Sequence, residues 1–158
     1  MRKWEAFACA ALAAAVALLY RKVTRLWWTY DDAYLIHIAS VRRWTEYFSN
    51  GEVWRSMPQH LFTPLLTASY DSELSAFALN AKRWYTAQLI ELAIAAIAIY
   101  LVLRLWLAIV PAFAGALLFV AGVPLCSVVT ELMLVHYLES IALAALATIL
   151  FVRGLRSR

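Results

Sequence analysis

The chain has 158 residues, of which 65% are hydrophobic and 15% are charged, and its formal net charge is +4. Soluble proteins average roughly 45–50% apolar and about 25% charged residues, so this composition excludes an ordinary water-soluble domain. The basic residues flank apolar blocks, as they do beside membrane spans, and we expect no nucleic-acid partner. The composition predicts an all-α membrane protein in which residues 1–158 form a single membrane domain.

The first apolar block lies between Lys3 and Arg21 and contains one charged residue, Glu5. A helix that crosses ~30 Å of hydrocarbon needs about 20 residues, so the block predicts a transmembrane helix at about 4–20. A secretory signal peptide is the alternative, because Arg2 and Lys3 precede an alanine-rich run. The lack of a polar cleavage region before Arg21 favours the transmembrane helix.

A long polar segment, residues 29–84, follows this block and is predicted to be the single large outer loop that carries the function. Apolar residues recur at spacings of three and four from Asp32 to Phe48, which predicts an amphipathic helix on the membrane surface. A second surface helix is predicted over residues 65–79. The periodic apolar residues of the first helix are Tyr34, Ile38, Val41, Trp44 and Phe48.

Three further transmembrane helices are predicted after the loop, at about 84–103, 105–123 and 131–152, which gives about four in total. Gly122 and Pro124 mark the turn between the last two. Basic residues predominate on the side that holds both ends of the chain. We therefore expect a multi-pass protein of the cell membrane with both termini in the cytoplasm.

Asp31 and Asp32 are the first candidates for catalysis, because two adjacent acids follow an apolar span at the mouth of a helix bundle. Burial there raises the pKa of a carboxylate toward the range useful to a general base. The alternative is that one aspartate caps the following helix while the other stays solvated. The two roles are compatible, since there are two acids.

Basic side chains of the loop are candidates for binding a lipid phosphate or pyrophosphate near the acidic pair. The alternative is ordinary attraction to lipid headgroups. The loop's basic groups are Arg21, Lys22, Arg25, Arg42, Arg43, Arg55, Lys82 and Arg83. The predicted phosphate-binding residues are Arg42, Arg43, Arg55, His60, Lys82 and Arg83.

The predicted fourth span contains three ionisable residues, Glu131, His136 and Glu139. Ionisable groups within a span usually face a bundle interior or an aqueous cavity, so these residues are predicted to form the opposite wall of the substrate site. The alternative is a structural role, in which His136 pairs with Glu139 or with Gln88 and Glu91 of the second span.

A divalent metal at His136 and Glu139 is a weaker alternative, because His-x-x-Glu places both side chains on one helix face. Only His37 and His60 remain as further histidine ligands. We predict no resident cofactor and no metal site.

Several segments resemble conserved motifs of the GT-C membrane glycosyltransferases, which use polyprenyl-phosphate sugars. Trp28–Tyr34, with the acidic pair, resembles the acidic motif in the first extracytoplasmic loop of that family. Phe62–Tyr70 and Phe77–Ala81, followed by Trp84 and Tyr85, resemble the end of this loop in protein O-mannosyltransferase-like members. Leu118–Pro124, with Glu131 and Glu139 beyond, looks like the third and fourth spans, although Val123 replaces a histidine found in some members.

The resemblance implies the N-terminal conserved part of an enzyme that transfers a sugar from a polyprenyl-phosphate donor at the outer face of the membrane. Asp31 or Asp32 would deprotonate the acceptor hydroxyl, and basic loop residues would offset charge on the departing lipid phosphate. Family members usually carry several more spans, which implies a longer chain or a partner membrane subunit. The alternative function is a non-catalytic membrane subunit or lipid-binding scaffold.

Overall fold

A computed structural model describes residues 3–29, 31–57 and 62–157, and these residues form helices and turns without a β-strand. The predicted phosphate ligand His60 lies outside the described residues. The α-helices are α1 Lys3–Leu19, α2 Asp32–Val41, α3 Glu46–Ser49, α4 Gly51–Ser56, α5 Pro64–Phe77, α6 Ala81–Leu103, α7 Ile109–Val120, α8 Val123–Thr130 and α9 Val135–Arg156. Within the described ranges, 3₁₀ turns lie at Val23–Arg25 and Leu132–Leu134.

Two helical stretches of the described chain are long and apolar enough to cross a membrane. They are α6, with 23 residues, and the continuous stretch Leu132–Arg156, with 25. Helices α7 and α8 meet at 56° and make a third span if the bent pair crosses as one. Helix α1 has 17 residues, which at 1.5 Å per residue gives about 25 Å, at the lower limit for a span. The predicted four spans stay a prediction.

Local sequence signals explain where several helices begin. The Asn80 side chain accepts the Arg83 backbone N–H at 3.3 Å and so caps α6. Pro64 occupies the first turn of α5, where its missing N–H costs no hydrogen bond. Gly122 precedes α8 and Pro124 lies in its first turn, so the chain breaks between α7 and α8 at these two residues. That this break joins two separate spans stays a prediction.

The continuous surface helix predicted from Asp32 to Phe48 is wrong, because the chain becomes extended at Arg42. The cause is the Glu46 carboxylate, which accepts the Arg43 backbone N–H at 3.2 Å and the Arg42 guanidinium at 3.3 Å. These local bonds compete with the helical ladder and divide the segment into α2 and α3. The helix predicted over residues 65–79 is confirmed as α5, and its position on a membrane surface stays a prediction.

The predicted apolar face of the first surface helix is divided. Ile38 is buried together with Leu35 and Ala39, whereas Val41 and Trp44 are exposed. The three buried residues lie on α2, which packs against α5, and contact of the exposed residues with a membrane stays a prediction. Helix α2 therefore buries one apolar side in the protein interior.

Helix α6 is central to the bundle and packs against α1, α7 and α9. Arg104, just after α6, forms an ion pair with Glu5 of α1 at 3.2 Å. Helix α7 approaches α6 closely at Gly115, where an added Cβ would lie 2.8 Å from Leu103 Cδ1. The loop helices α2 to α5 pack at the opposite end of α6, around Trp84 and Tyr85.

Candidate functional site

Asp32 is a buried carboxylate at the start of α2, with 1% of its surface exposed. One carboxylate oxygen accepts the Thr29 backbone N–H at 2.8 Å, and the other accepts the Tyr70 hydroxyl at 2.7 Å. Burial raises the pKa of Asp32, and the two hydrogen bonds oppose that rise. Asp32 therefore ties the start of the loop to α5, and its oxygens are not open to a substrate.

An aromatic cluster surrounds this buried acid. The Trp84 ring packs edge to face on both Trp28 and Tyr70, with ring centroids 5.0 Å apart in each pair. The Trp84 indole N–H also donates to the Ala78 carbonyl at 2.9 Å. These contacts join the segment before α2 to the middle of α5 and the beginning of α6.

The Tyr85 hydroxyl fixes a second junction beside the aromatic cluster. Its oxygen lies 3.0 Å from the Trp27 carbonyl oxygen and 3.3 Å from the Thr130 carbonyl oxygen. Trp27 precedes the acidic pair, and Thr130 ends α8. The Tyr85 side chain of α6 therefore holds the segment before α2 and the end of α8 close together.

Asp31 differs from its neighbour, because it is partly exposed and its side chain makes no capping hydrogen bond. The predicted cap takes another form, since Asp32 accepts the N–H of Thr29, which precedes α2, rather than one from the first turn of that helix. Among the described residues, the Asp31 carboxylate therefore has no hydrogen-bond donor, in contrast to that of Asp32.

Lys82 and Arg83 lie exposed at the start of α6, where the structure adds Arg25 from the first 3₁₀ turn. Arg25 and Lys82 line one pocket of about 640 Å³ together with Thr24, Trp27 and Asn80. The sequence marked Arg25 as a basic loop residue but gave no sign that it meets Lys82. A contact between segments so far apart in the chain has no local signature.

The remaining predicted phosphate ligands lie elsewhere on the loop. Arg42 forms an exposed ion pair with Glu46 at 3.3 Å. Arg43 is exposed in the turn after α2, and Arg55 is exposed near the end of α4. None of these three arginines lines the pocket beside Lys82.

Glu131, His136 and Glu139 make different contacts in the structure, and the single wall predicted for them stays a prediction. Glu131 follows α8, and its backbone carbonyl accepts the Gln88 amide at 3.1 Å. His136 Nδ1 lies 2.9 Å from the Met133 carbonyl oxygen, and its ring packs against Tyr137. Among the described residues, the hydrogen bonds show no pairing of His136 with Glu139, Gln88 or Glu91.

Glu139 belongs instead to a carboxylate trio that also contains Glu73 of α5 and Glu91 of α6. Ser69 donates its hydroxyl to Glu139, while Glu91 Oε2 and Glu139 Oε2 are buried without a hydrogen-bond partner. Burial, followed by repulsion from Glu91 and Glu139, raises the pKa of Glu73 to about 8. Glu73 was not predicted as a site residue, although its spacing of four from Ser69 places both on one face of α5.

A pocket of about 300 Å³ opens beside this trio and is lined by Glu91, Glu139 and apolar residues that include Leu65 and Leu138. No group of three or more His, Cys, Asp or Glu side chains in the described ranges is arranged to hold a metal ion. The metal alternative at His136 and Glu139 therefore finds no ligand set within those ranges.

The described residues form an all-helical fold with two apolar helices that could span a membrane, a buried carboxylate at Asp32, and a pocket lined by Arg25 and Lys82. Comparison of the chain with protein-family models, with curated proteins and with solved structures gives no match.

Proposed function

We propose that this chain is a glycosyltransferase, or the conserved N-terminal module of one, that transfers a sugar from a polyprenyl-phosphate donor to an acceptor hydroxyl. The supporting observation is that the two acids of the pair differ. Asp32 is buried and accepts hydrogen bonds from Thr29 and Tyr70, while Asp31 beside it is partly exposed. The proposal includes four membrane spans, cytoplasmic termini and a site on the outer face of the cell membrane.

Asp31 is the general base in this proposal. Its carboxylate takes the proton of the acceptor hydroxyl, whose oxygen attacks the anomeric carbon of the donor sugar. The bond between that carbon and the phosphate oxygen breaks, and its electron pair leaves with the lipid phosphate. Basic side chains near the start of α6 offset the charge on the departing phosphate.

Asp32 is a positioning residue in the same proposal. Its hydrogen bonds to Thr29 and Tyr70 hold the start of α2, directly after Asp31, against α5. Such fixed placement lowers the entropic cost of bringing a base to its substrate.

The test is sugar transfer by membranes that contain Asp31→Asn or Asp32→Asn, supplied with a panel of polyprenyl-phosphate hexoses and pentoses. Release of polyprenyl phosphate is measured by mass spectrometry. We expect Asp31→Asn to lower transfer on the order of 100-fold, within the range for loss of a general base, with unchanged protein levels. The control is Glu52→Gln, an exposed position on α4. Full activity of Asp31→Asn would contradict the catalytic role.

A non-catalytic membrane subunit or lipid-binding scaffold is the second candidate. It is favoured by the burial of Asp32 and by an apolar pocket of about 330 Å³ between α1 and α7, lined by Trp4, Phe7 and Val110. Native mass spectrometry of gently extracted protein separates the candidates. A stable heteromer without donor turnover favours the scaffold, and turnover by the chain alone excludes it.

A further inference from the structure

The pocket of about 300 Å³ beside the carboxylate trio is a groove between α6 and α9, which we name the α6–α9 groove. Its lining includes Glu91 and Ile94 from α6, and Glu139, Ala142 and Leu143 from α9. Ile94 and Leu143 are exposed. Ala142 follows Glu139 by three residues and so shares its helix face. A small side chain at such a position lets another helix approach closely.

The two acids of the groove lack partners. Glu91 Oε2 and Glu139 Oε2 are both buried without a hydrogen-bond donor, while the other Glu139 oxygen accepts the Ser69 hydroxyl. No Lys, Arg or His lines the groove, and neither acid forms an ion pair with a described residue. Glu73 lies near enough to repel both and adds a third carboxylate. Because a buried carboxylate is unfavourable unless it is paired, the groove favours a cationic group.

The position of Glu91 along α6 indicates what can bring that cation. Helix α6 begins at Ala81 and has 23 residues, so Glu91 lies near its middle, about 15 Å from its start at 1.5 Å per residue. If α6 crosses a membrane, this depth lies within the hydrocarbon, below the amines of lipid headgroups. A Lys or Arg on another transmembrane helix reaches it, since polar side chains within spans pair across helices.

We propose that the α6–α9 groove binds a transmembrane helix of a partner protein, and that a Lys or Arg near the middle of this helix pairs with Glu91 and Glu139. Apolar side chains on either side of the cation pack against Ile94, Ala142 and Leu143. The proposal goes beyond sugar transfer and does not depend on it. It also accounts for two buried oxygens without donors, because the partner supplies the donors.

The test measures association of the full chain with a synthetic transmembrane helix in phosphatidylcholine vesicles, by energy transfer between a dye on each. The Lys probe is a helix of about 20 Leu and Ala residues with one central Lys. The Gln probe carries Gln at the same place. We expect the wild type to bind the Lys probe about tenfold more tightly than the Gln probe, as for a strong polar contact between helices.

Variants of the chain locate the contact. Glu91→Gln and Glu139→Gln keep the side-chain shape, and each should weaken binding of the Lys probe about threefold without changing that of the Gln probe. Glu52→Gln, on the exposed surface of α4, is the matched control and should bind both probes as the wild type does. Ala142→Phe fills the groove and should weaken binding of both probes.

Three outcomes would overturn the proposal. The first is equal affinity of the wild type for the two probes, which would show that the acids need no cation. The second is unchanged binding of the Lys probe by Glu91→Gln and Glu139→Gln. The third is displacement of the Lys probe when phosphatidylethanolamine replaces part of the phosphatidylcholine, which would assign the groove to a lipid amine.

Discussion

Asp32 and Glu139 are carboxylates in two regions with opposite surroundings. Both oxygens of Asp32 accept hydrogen bonds, from Thr29 and Tyr70. Glu139 accepts one from Ser69, while its other oxygen is buried without a partner and Glu73 lies near enough for repulsion. The difference shows that a buried acid stabilises a fold through the donors aimed at it, and that acids placed together without donors weaken it.

The largest expected effect in this comparison is that of Asp32→Ala. The substitution leaves the Tyr70 hydroxyl and the Thr29 N–H without an acceptor, which should lower the free energy of unfolding by about 2–4 kcal/mol. Chemical denaturation in detergent micelles, followed by tryptophan fluorescence, measures this change. Asp31→Ala is the control, because its side chain makes no capping bond. Equal losses of unfolding free energy in the two variants would show that the hydrogen bonds of Asp32 do not stabilise the fold.

Glu73→Gln should act in the opposite direction and stabilise the protein by about 1–2 kcal/mol at neutral to alkaline pH, because it removes a carboxylate that is buried and also repelled by Glu91 and Glu139. The folded pKa of about 8 exceeds the ordinary 4.5, so the unfolded chain releases this proton first. The wild-type contribution is therefore most favourable below pH 4.5, declines as pH rises, and is constant above pH 8.

Unfolding at several pH values checks the sign of this effect. The variant should lose stability less steeply between pH 4.5 and pH 8 than the wild type. Glu52→Gln, on the exposed surface of α4, provides the matched removal of one charge. If the free energy of unfolding of Glu73→Gln changes with pH as steeply as that of the wild type, Glu73 is not the carboxyl group with the raised pKa.

Ser69→Ala should have a smaller effect, a loss of about 1 kcal/mol, because it removes the hydroxyl that donates to Glu139. Ser72→Ala is the control on the same helix, since Ser72 is exposed and donates to the Ala68 carbonyl. In the Ser69→Ala, Glu139→Ala double variant, the two effects should not add, because each substitution removes the same bond. Strict additivity would show that the bond contributes nothing.

The smallest effect is expected for Glu46→Gln. The Arg42–Glu46 pair lies on the surface, where solvent screens the attraction. We expect a melting temperature that cannot be separated from that of the wild type by differential scanning fluorimetry. A clear loss would show that exposed acids of this loop also depend on their donors, which would extend the comparison beyond the interior.

Local patterns predicted the parts of the fold that depend on neighbouring residues. The apolar block between Arg83 and Arg104 predicted α6, and the stretch that follows Pro64 predicted α5, because helix length and helix ends depend on residues close in sequence. The break at Arg42 was missed, since the Glu46 side chain competes with an otherwise regular helical pattern.

Long-range contacts explain why the site was only partly predicted. The acidic pair was identified as a site, but the pattern could not show that Asp32 meets Tyr70 and Asp31 does not. The proximity of Arg25 to Lys82, and of Glu73 to Glu139, likewise depends on how helices pack rather than on spacing in the chain. Such long-range pairs leave no periodic pattern in a single sequence.

The position of Tyr85 between the Trp27 and Thr130 carbonyls has a consequence for synthesis of the chain. Translation proceeds from the N-terminus, so the acidic pair is made long before Thr130. Its segment cannot take its complete set of contacts until α8 has left the ribosome. The part of the protein encoded near the beginning is therefore among the last to reach its final geometry.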